Sequence, residues 1–360
     1  MTKPLGDFRG TGPAVTHLDL GCELRGGQRQ VLYLAMEQLQ AGMQTRIASP
    51  RTAPILDAAC KEGIPILALP CRWDFAPRNL FALSRALKPS ALLHTHDARA
   101  ASLGGLVALM RRDFFLVHTR RVSYALGQGW SRWKYALGDT VVCVSRDVEA
   151  VVRRAGISRT AVIPSAISLK RYSFRREGNI GRIGIIGALS PQKGHAQFFA
   201  ALKLLHDVPE IWVVGTGHLE KSLRTLAAEH GIAQRIVWKG HVESPDVLPF
   251  LDILVVPSVH GEGSSGVIKE AWASGVPVVC SDLRANLELV VPGKNGLVFS
   301  NGDPADLAVQ LHRLRSDPHL QNTLAKQGHV DAQQHDTSRM HADYEHIYKL
   351  VTSPVSDVVS

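Results

Sequence analysis

The sequence predicts an α/β protein of two domains, each built on a parallel sheet with helices on both faces. Its 360 residues exceed the length that one hydrophobic core usually serves, so two domains are expected. Short apolar runs alternate with amphipathic stretches along almost the whole chain, a pattern typical of parallel sheets. A polar, basic stretch without periodicity, residues 164–181, interrupts this alternation and predicts the linker between the domains.

Apolar runs predict the strands of each domain, and amphipathic runs predict the helices between them. In residues 1–170 the predicted strands are AVTHLDL, TRIAS, IPILAL, ALLHTH, FFLVHT and TVVCVS, and the clearest helices are QRQVLYLAMEQLQAG and ARAASLGGLVALMRR. In residues 171–336 the predicted strands are RIGIIGA, EIWVVG, RIVWKG, DILVVP, VPVVCS and GLVFS. The last part, residues 337–360, begins with a helix whose apolar positions are Met340, Tyr344, Ile347, Tyr348 and Val351.

The positive charge of the chain is concentrated in its first half. Residues 1–172 contain 24 Lys and Arg against 12 Asp and Glu, whereas residues 173–360 contain 17 against 20. This excess favours an anionic partner such as phosphate, a membrane surface or nucleic acid, although a solvated basic surface has the same composition. No helix-turn-helix or zinc-finger pattern supports nucleic acid, and we do not expect it as a partner.

The sequence shows no targeting, membrane-spanning or disulfide pattern. The N-terminal stretch MTKPLGDFRGTGPAV lacks the apolar core of a signal peptide, and no apolar run approaches the ~18 residues that cross a membrane. The five cysteines form no C-x-x-C pair, which suits reduced thiols. We therefore expect a cytoplasmic protein, with peripheral contact to the inner face of an anionic membrane through its basic half.

Ligands of parallel sheets bind outside the carboxyl ends of the strands, so each strand-to-helix turn is a candidate site. Gly26 and Gly27 open the first helix, where glycine lets a ligand approach the backbone N–H groups, although a tight turn also needs glycine. His94, His96 and Asp97 end the fourth strand. Imidazole and carboxylate groups suit zinc, but no further ligand is evident from the spacing, and we expect no metal.

Imidazole and cationic side chains follow two other strands. His118, Arg120 and Arg121 end the fifth strand, where the histidine can exchange a proton and the guanidinium groups suit phosphate; a core histidine is the alternative. Lys193 precedes a helix of the second domain and is placed to reach a phosphate, although the P-loop pattern is absent. The G-x-G of VVGTGH lacks the third glycine of a dinucleotide-binding motif and argues against NAD.

The most informative turn is GEGSSGVIKEAWASG, which follows the apolar strand DILVVP. A helix that starts near Ser265 leaves the N–H groups of Ser264 to Val267 unpaired, which makes a site for a diphosphate. Glu262 precedes the helix, and Glu270 lies about 7 Å along its axis. Carboxylates touching phosphates would repel them, so these two suit hydroxyl groups on either side of a diphosphate, as in a nucleotide sugar. A capping glutamate and a solvated helix glutamate are the alternative.

The segment EGSSGVIKEAWASGVPVV resembles the E-x7-E signature of retaining GT-B glycosyltransferases of family 4. Other segments resemble the same family over nearly the whole chain. Among them are the Gly-Gly segment RGGQRQVLYLAMEQLQAG, the segment VCVSRDVEAVVRRAGI and the donor-domain segment VVGTGHLEKSLRTLAAEHG. The resemblance implies two Rossmann-like domains that face a central cleft, with the C-terminal helix crossing back to the first domain.

The resemblance also implies roles for individual residues. Glu270 would accept hydrogen bonds from the ribose, and Glu262 would hold the donor sugar and face the reaction centre. Lys193 would pair with the diphosphate, and His118 would lie near the reaction centre on the acceptor side, where Arg120 and Arg121 are also expected. The other donor-binding residues would be Gly26, Gly27, Gly263, Ser264, Ser265, Gly266 and Val267.

We therefore expect a retaining glycosyltransferase that moves a sugar from a nucleoside diphosphate sugar to a glycan or glycolipid acceptor. By resemblance it needs no metal or other cofactor and acts in bacterial-type cell-envelope synthesis, of lipopolysaccharide or polysaccharide. Ala188 stands where the family motif usually has arginine, so one diphosphate cation is absent or is supplied by another residue. A nucleotide-sugar epimerase and a non-catalytic nucleotide-sugar-binding protein of the same fold remain alternatives. The basic half argues against the first, and a lack of turnover would identify the second.

Overall fold

The computed structural model describes residues 13–71, 76–174 and 181–353. Three expectations from the sequence lie wholly or partly outside these residues. They concern the N-terminal stretch, the part of the predicted linker at 175–180, and the tail after Ser353.

The chain divides into two compact units, each with its own parallel sheet. The first unit extends to Ala166 and also contains the chain from Thr337 onward. The second unit is Ile167–Asp336. The C-terminal helix therefore belongs to the first unit, as predicted, although it follows the second unit in the sequence.

The first unit contains a seven-stranded parallel sheet with the order β3-β2-β1-β4-β5-β6-β7. Its strands are β1 (Val15–Leu18), β2 (Thr45–Pro50), β3 (Ile66–Leu69), β4 (Leu92–Thr95), β5 (Phe115–Arg120), β6 (Thr140–Cys143) and β7 (Thr160–Val162). The helices that follow them are α1 (Gly26–Gln40), α2 (Pro54–Lys61), α3 (Pro77–Ala86), α4 (Ala98–Met110), α5 (Trp130–Ala136) and α6 (Arg146–Arg154).

The second unit contains a six-stranded parallel sheet with the order β10-β9-β8-β11-β12-β13. Its strands are β8 (Arg182–Ile186), β9 (Glu210–Val214), β10 (Ile236–Gly240), β11 (Ile253–Val256), β12 (Val278–Ser281) and β13 (Leu297–Phe299). Its helices are α7 (His195–Lys203), α8 (Glu220–Glu229), α9 (Gly266–Ala273), α10 (Arg284–Leu287), α11 (Pro304–Ser316) and α12 (Pro318–Ala332).

The last helix, α13 (Thr337–Thr352), packs on the first sheet and beside α1. Met340, Tyr344 and Tyr348 are buried against apolar side chains that include Val15 and Leu34. These three residues follow the helical spacing that the sequence predicts for the apolar face of this segment. Burial of two tyrosines and a methionine supplies the apolar contact that fixes the helix to the first unit.

The strands are continuous apolar runs because both faces of each sheet are covered. Successive side chains of one strand point to opposite faces. On β4, Leu92 packs in the core that contains α13, whereas Leu93 packs in the core that contains α3 and α4. On β11, Val255 and Leu254 likewise belong to different cores.

In both sheets the direction of strand addition reverses beside the first strand. The chain runs from β1 outward to β2 and β3, and then returns to place β4 on the other side of β1. It does the same with β8, β9, β10 and β11. The carboxyl ends of strands at such a reversal are the preferred ligand site of open α/β sheets. The fold thus singles out the turns after β1 and β4, and those after β8 and β11.

The structure confirms the predicted fold class, and every strand predicted from an apolar run is present. The sequence analysis missed β7, which has only three residues, none of them fully buried. An edge strand of that length carries too few apolar positions to stand out from a loop. Within the described ranges, no helix is both long enough and apolar enough to cross a membrane.

Candidate active site

Two turns meet at the strand reversal of the second sheet. The turn after β8 forms a short 3-10 helix, Pro191–Lys193, and the turn after β11 carries Glu262. The Nζ atom of Lys193 lies 2.6 Å from Oε1 of Glu262. Gly194 makes this approach feasible, because it has a φ of 69° and a Cβ atom there would lie 1.7 Å from the carbonyl oxygen of Pro257. The glycine next to Lys193 is therefore required by the close packing of the two turns.

Glu262 is a buried carboxylate with two hydrogen-bond donors. It is 7 % exposed, and the hydroxyl of Ser258 donates to its Oε1 at 2.6 Å. Burial by itself would raise its pKa. The charge and hydrogen bond of Lys193, together with Ser258, outweigh burial and hold the pKa of Glu262 below its ordinary value of 4.5. Glu262 is thus ionised at neutral pH and acts as an acceptor of hydrogen bonds.

Helix α9 begins at Gly266, in agreement with the predicted start near Ser265. The Ser265 side chain makes no capping hydrogen bond, and the first turn contains no acidic residue. The N–H groups of this turn therefore keep their partial positive charge. A Cβ atom on Gly266 would have only Oε1 of Glu270 nearby, at 3.8 Å, so the helix is not crowded at this position. Glu270 itself is partly buried in the second turn of the helix.

Lys269 belongs to this site and was missed in the sequence analysis. Its side chain has no exposed surface, and its Nζ donates to Oγ of Ser264 at 2.7 Å. Burial lowers the pKa of Lys269 to about 7, against the opposing effect of the nearby carboxylates of Glu270 and Glu288. The contact orients the Ser264 hydroxyl in the loop that follows Glu262. In a sequence, a lysine next to a glutamate on a helix usually indicates a solvated face. The position of Lys269 next to Glu270 was therefore the only signal of its role in the site.

The glycines of the G-x-G motif, Gly215 and Gly217, allow close backbone packing. A Cβ atom on Gly215 would lie 2.0 Å from the carbonyl oxygen of Gly187, and one on Gly217 would lie 2.4 Å from that of Leu189. The turns after β8 and β9 therefore touch through their backbones. This contact accounts for both glycines without a ligand.

In the first unit, Gly26 and Gly27 form the start of α1, at the strand reversal of the first sheet. A Cβ atom on Gly26 would meet no atom within 4 Å, whereas one on Gly27 would lie 3.5 Å from Cδ of Arg121. Arg121 comes directly after β5 and is partly exposed. Two elements that the sequence analysis treated separately, the Gly-Gly turn and the arginine after the fifth strand, are thus neighbours.

His118 does not project from the end of its strand as expected. Its side chain has no exposed surface, and its Nδ1 lies 2.6 Å from Oγ1 of Thr95. The ring packs edge-on against Tyr135, and a Cβ atom on Gly138 would lie 2.5 Å from its Cδ2. Burial lowers the pKa of His118 to about 3. The placement matches a core histidine between β5 and α5, and it gives no support to a contact with substrate.

Two of the cations expected on a basic surface are buried. Arg120 donates to the carbonyl oxygen of Tyr124, and Nζ of Lys134 donates to the carbonyl oxygen of Ala98 at 2.6 Å. Arg120 lies on the buried face of the end of β5 and Lys134 on the buried face of α5, and each neutral carbonyl partner satisfies part of their donor capacity. Other arginines of the same region are exposed, namely Arg112, Arg132, Arg153 and Arg154.

His94 and His96 join His17, which the sequence analysis did not connect with them, in a buried cluster whose ring nitrogens lie within 4.8 Å of one another. Nδ1 of His17 lies 2.9 Å from Nε2 of His96, and the two nitrogens of His94 lie 2.7 Å from hydroxyl oxygens of Tyr348 and Thr119. Burial lowers the pKa of all three histidines. The hydrogen bonds account for the cluster, and the expectation of no metal stays a prediction.

A cavity of about 820 Å³ lies at the opposite end of the second sheet from Lys193. It is lined by residues at the amino ends of β8 and β11, including Gly181 and Asp252. The carboxyl ends of the strands, where Lys193 and Glu262 lie, remain the candidate site.

Two parallel, Rossmann-like α/β units define the GT-B class of glycosyltransferase folds. The Anabaena protein HepE, solved in complex with UDP-glucose, is similar with a TM-score of 0.83 over 94 % of this chain and 99 % of HepE, at 18 % identity. The lipopolysaccharide outer core galactosyltransferase WaaB, solved in its apo form, has a TM-score of 0.75 over 93 % of this chain and 98 % of WaaB, at 15 % identity. At these identities the similarity shows the fold.

The family is shown by sequence. The model of Glycosyltransferase Family 4 matches residues 24–171, and the model of Glycosyl transferases group 1 matches residues 181–317. The lipopolysaccharide core biosynthesis glycosyltransferase LpsE of Rhizobium meliloti is 31 % identical over 70 % of this chain and 76 % of LpsE. The phosphatidyl-myo-inositol mannosyltransferase of Mycobacterium leprae is 26 % identical over 92 % of this chain and 95 % of that protein. The chain belongs to the glycosyltransferase family that these two models and LpsE represent.

Replacing Lys193 with methionine should raise the pKa of Glu262 above 4.5, because burial would then act without the opposing charge. In the native chain the lowered pKa of Glu262 stabilises the folded state, and this stabilisation is lost as the pH falls through that pKa. In Lys193→Met the pKa of Glu262 is raised, so this stabilisation is absent. A carbon-13 titration of the Glu262 carboxyl group by NMR measures the change. Lys294→Met, at an exposed lysine, is the matched control. An unchanged pKa in Lys193→Met would contradict the coupling.

Proposed function

We propose that the chain is a retaining glycosyltransferase that takes a sugar from a nucleoside diphosphate sugar bound at the second unit. The observation that carries the proposal is the Lys193–Glu262 ion pair beside the open N-terminus of α9, with Glu270 on the same helix. The site contains a cation, unpaired helix N–H groups and two carboxylates. These groups match the parts of such a donor. They suit a diphosphate with hydroxyl-bearing groups on both sides.

In this proposal the diphosphate lies at the N-terminus of α9, against the backbone of Gly263 to Val267, and Lys193 neutralises part of its charge. Glu270 accepts the ribose hydroxyls, and Glu262 accepts hydroxyls of the transferred sugar. As the bond to the sugar breaks, negative charge grows on the leaving diphosphate, and preorganised donors stabilise it. We assign this task to Lys193 and the helix N–H groups and include no metal ion.

Retention is proposed from the resemblance of residues 262–279 to the E-x7-E signature. The acceptor hydroxyl would attack the face from which the diphosphate leaves, and a departing phosphate oxygen would take its proton. This route needs no basic side chain at the acceptor, which fits the enclosed position of His118.

Because position 188 is alanine where the family motif usually has arginine, one positive charge expected at the diphosphate is missing. Ala188 is exposed and carries no charge, while Cδ of the Lys193 side chain packs 3.4 Å from the position of a Cβ atom on Gly187. We propose that Lys269, which donates to Oγ of Ser264, supplies part of the missing positive charge, since its pKa of about 7 leaves it protonated in about half of the molecules at neutral pH. Its effect on a diphosphate would act through the field and through the orientation of the Ser264 hydroxyl.

The acceptor is proposed to be an anionic glycan or glycolipid of the cell envelope. Two relatives support this choice, since one is named for lipopolysaccharide core biosynthesis and another is a phosphatidyl-myo-inositol mannosyltransferase. HepE was solved with UDP-glucose, which supports a nucleoside diphosphate sugar as the donor class. The basic composition of residues 1–172 is the property of this chain that suits a phosphorylated acceptor.

Glu270→Ala tests the donor site. The variant loses acceptors for the ribose hydroxyls, so binding of the free nucleoside diphosphate should weaken about tenfold or more. Isothermal titration calorimetry over a panel of nucleoside diphosphates measures it, with the exposed Glu229→Ala as control. Equal affinity in Glu270→Ala and the native chain would remove the ribose role.

We propose as a second point that the first unit contacts anionic membrane through the region around α5. Trp130 and Trp133 are 38 % and 40 % exposed, with ring centroids 4.8 Å apart. Arg132 and Arg154 line a neighbouring cavity of about 640 Å³. Exposed tryptophans beside arginines are typical of segments at the interface of an anionic bilayer.

Co-sedimentation with vesicles at low salt tests the membrane contact. The native chain should bind vesicles that contain anionic lipid and should not bind neutral vesicles. Each basic residue near an anionic surface contributes about 1 kcal/mol to the binding free energy. The double variant Arg132→Glu/Arg154→Glu should bind at least about tenfold more weakly, and Arg235→Glu, at an exposed arginine of the second unit, should bind normally. Equal sedimentation with both lipids would reject the contact.

A further inference from the structure

The cavity of about 640 Å³ in the first unit lies between the loop before α5 and the end of α6. Among the described residues that line it, Arg132 and Arg154 are the only charged ones, so no carboxylate faces them. Ser123 and Gln128 supply polar side chains to the same lining. Two like charges at one cavity repel each other, and an anion between them removes this repulsion.

The guanidinium group of Arg132 is held in place by only one of its nitrogens. Its Nε donates to the carbonyl oxygen of Ala155, the residue that follows α6. Gly156 has a φ of 79°, and a Cβ atom there would lie 3.0 Å from Nη2 of Arg132, so glycine leaves room for the guanidinium group. Within the described chain the two terminal nitrogens have no hydrogen-bond partner, and their N–H groups remain available to an anion.

Arg154 differs from the arginine that precedes it. Arg153 forms an ion pair with Glu149, one turn earlier in α6, at 3.0 Å. Arg154 forms no ion pair with any residue in the described ranges, and it lines the cavity. Both arginines lie in the last turn of α6, where the partial negative charge of a helix end favours cations. The helix end explains a charge at both positions, but it does not explain why Arg154 and Arg132 share one cavity.

The cavity is separate from the strand reversal of the first sheet. Helix α6 begins at the carboxyl end of β6, and its nine residues run roughly 13 Å toward the amino end of β7. The end of α6 therefore lies away from the carboxyl ends of the strands, where an open α/β sheet binds its substrates. A ligand in this cavity would be held apart from the reacting groups.

Exposed aromatic side chains border the same region. Tyr124 lies in the loop that lines the cavity, and Trp130 and Trp133 flank Arg132 in α5. All three side chains are exposed, whereas the described tryptophans of the second unit are not. Tryptophan and tyrosine are enriched at the interface between a bilayer and water, because their rings are apolar at one end and polar at the other.

We propose that this cavity binds the phosphate monoester headgroup of a membrane lipid. Two guanidinium groups suit a phosphate monoester, which carries close to two negative charges at neutral pH, better than a singly charged diester. The aromatic side chains favour a lipid as the source, since a free phosphate needs no apolar surroundings. The proposal rests on the proposed membrane contact for the presence of the lipid, and it adds a preference among anionic lipids.

Co-sedimentation of the native chain with two kinds of vesicle tests this preference. One kind contains phosphatidic acid, a phosphate monoester, and the other contains phosphatidylglycerol, a diester, in fractions that give equal surface potential. The native chain should bind phosphatidic acid vesicles about tenfold more tightly. Arg132→Gln and Arg154→Gln should each lose most of this preference. The matched control Arg153→Gln removes the same charge from the same helix turn and should keep the preference.

The outcomes separate the headgroup site from the general membrane contact. Equal binding of both vesicles by the native chain would reject the site and leave the membrane contact standing, and this result does not depend on the folding of a variant. Binding to neither vesicle would reject both proposals. Equal losses of preference in Arg153→Gln and Arg154→Gln would reduce the effect to surface charge. If soluble glycerol 3-phosphate shifts the Gly156 N–H resonance in NMR while neither vesicle binds, the ligand is a free phosphate and the lipid is overturned.

Discussion

The ion pair between Lys193 and Glu262 joins two turns that are 69 residues apart in the sequence. It exists because the second sheet places β11 directly beside β8, so that the turns after these strands leave the sheet side by side. Gly194 permits the backbone contact between them, and Ser258 adds a hydrogen bond to the same carboxylate oxygen. The strand order, the glycine and the serine thus all act on the position of one carboxylate.

Stability alone gives a weak reason for such a pair. A buried ion pair gains little net free energy, because desolvation of both charges offsets their attraction, whereas removal of one partner leaves a costly unpaired charge. The neighbouring Lys269 is a buried lysine whose pKa is lowered to about 7, and it hydrogen-bonds to Ser264 in the loop after Glu262. These charges contribute little to the stability of the fold, and they lie beside the N-terminus of α9. Binding of a charged ligand explains their presence better than stability does. In the first unit the corresponding strand reversal carries Arg121, whose charge has no ion-pair partner within the described chain.

The features that the sequence could predict are those that depend on local pattern. Apolar runs gave the strands of both sheets, and the glycines and serines after Glu262 placed the start of α9 within a residue of Ser265. The spacing of Met340, Tyr344 and Tyr348 gave the buried face of α13. In each case the information lies within a few neighbouring residues, because helix and strand periods are local properties.

The features that the sequence could not predict depend on side-chain direction and on residues that are distant in the chain. His118 and Arg121 follow one another closely, yet the first packs under α5 and the second lies beside α1. Only the sheet order reveals which helix covers each face. The approach of His17 to His96 and the ion pair of Lys193 required the same information, since their partners lie on other strands or turns.

The central claim is that the chain cleaves a nucleoside diphosphate sugar with retention at the anomeric carbon. The most direct measurement follows the anomeric proton by NMR while the chain hydrolyses an α-linked nucleoside diphosphate sugar in the absence of an acceptor, with water as the attacking group. The account predicts that the α anomer of the free sugar appears first and then equilibrates with the β anomer. First appearance of the β anomer would contradict retention. Binding of the donor without any release of sugar, even with anionic glycan acceptors added, would contradict catalysis itself.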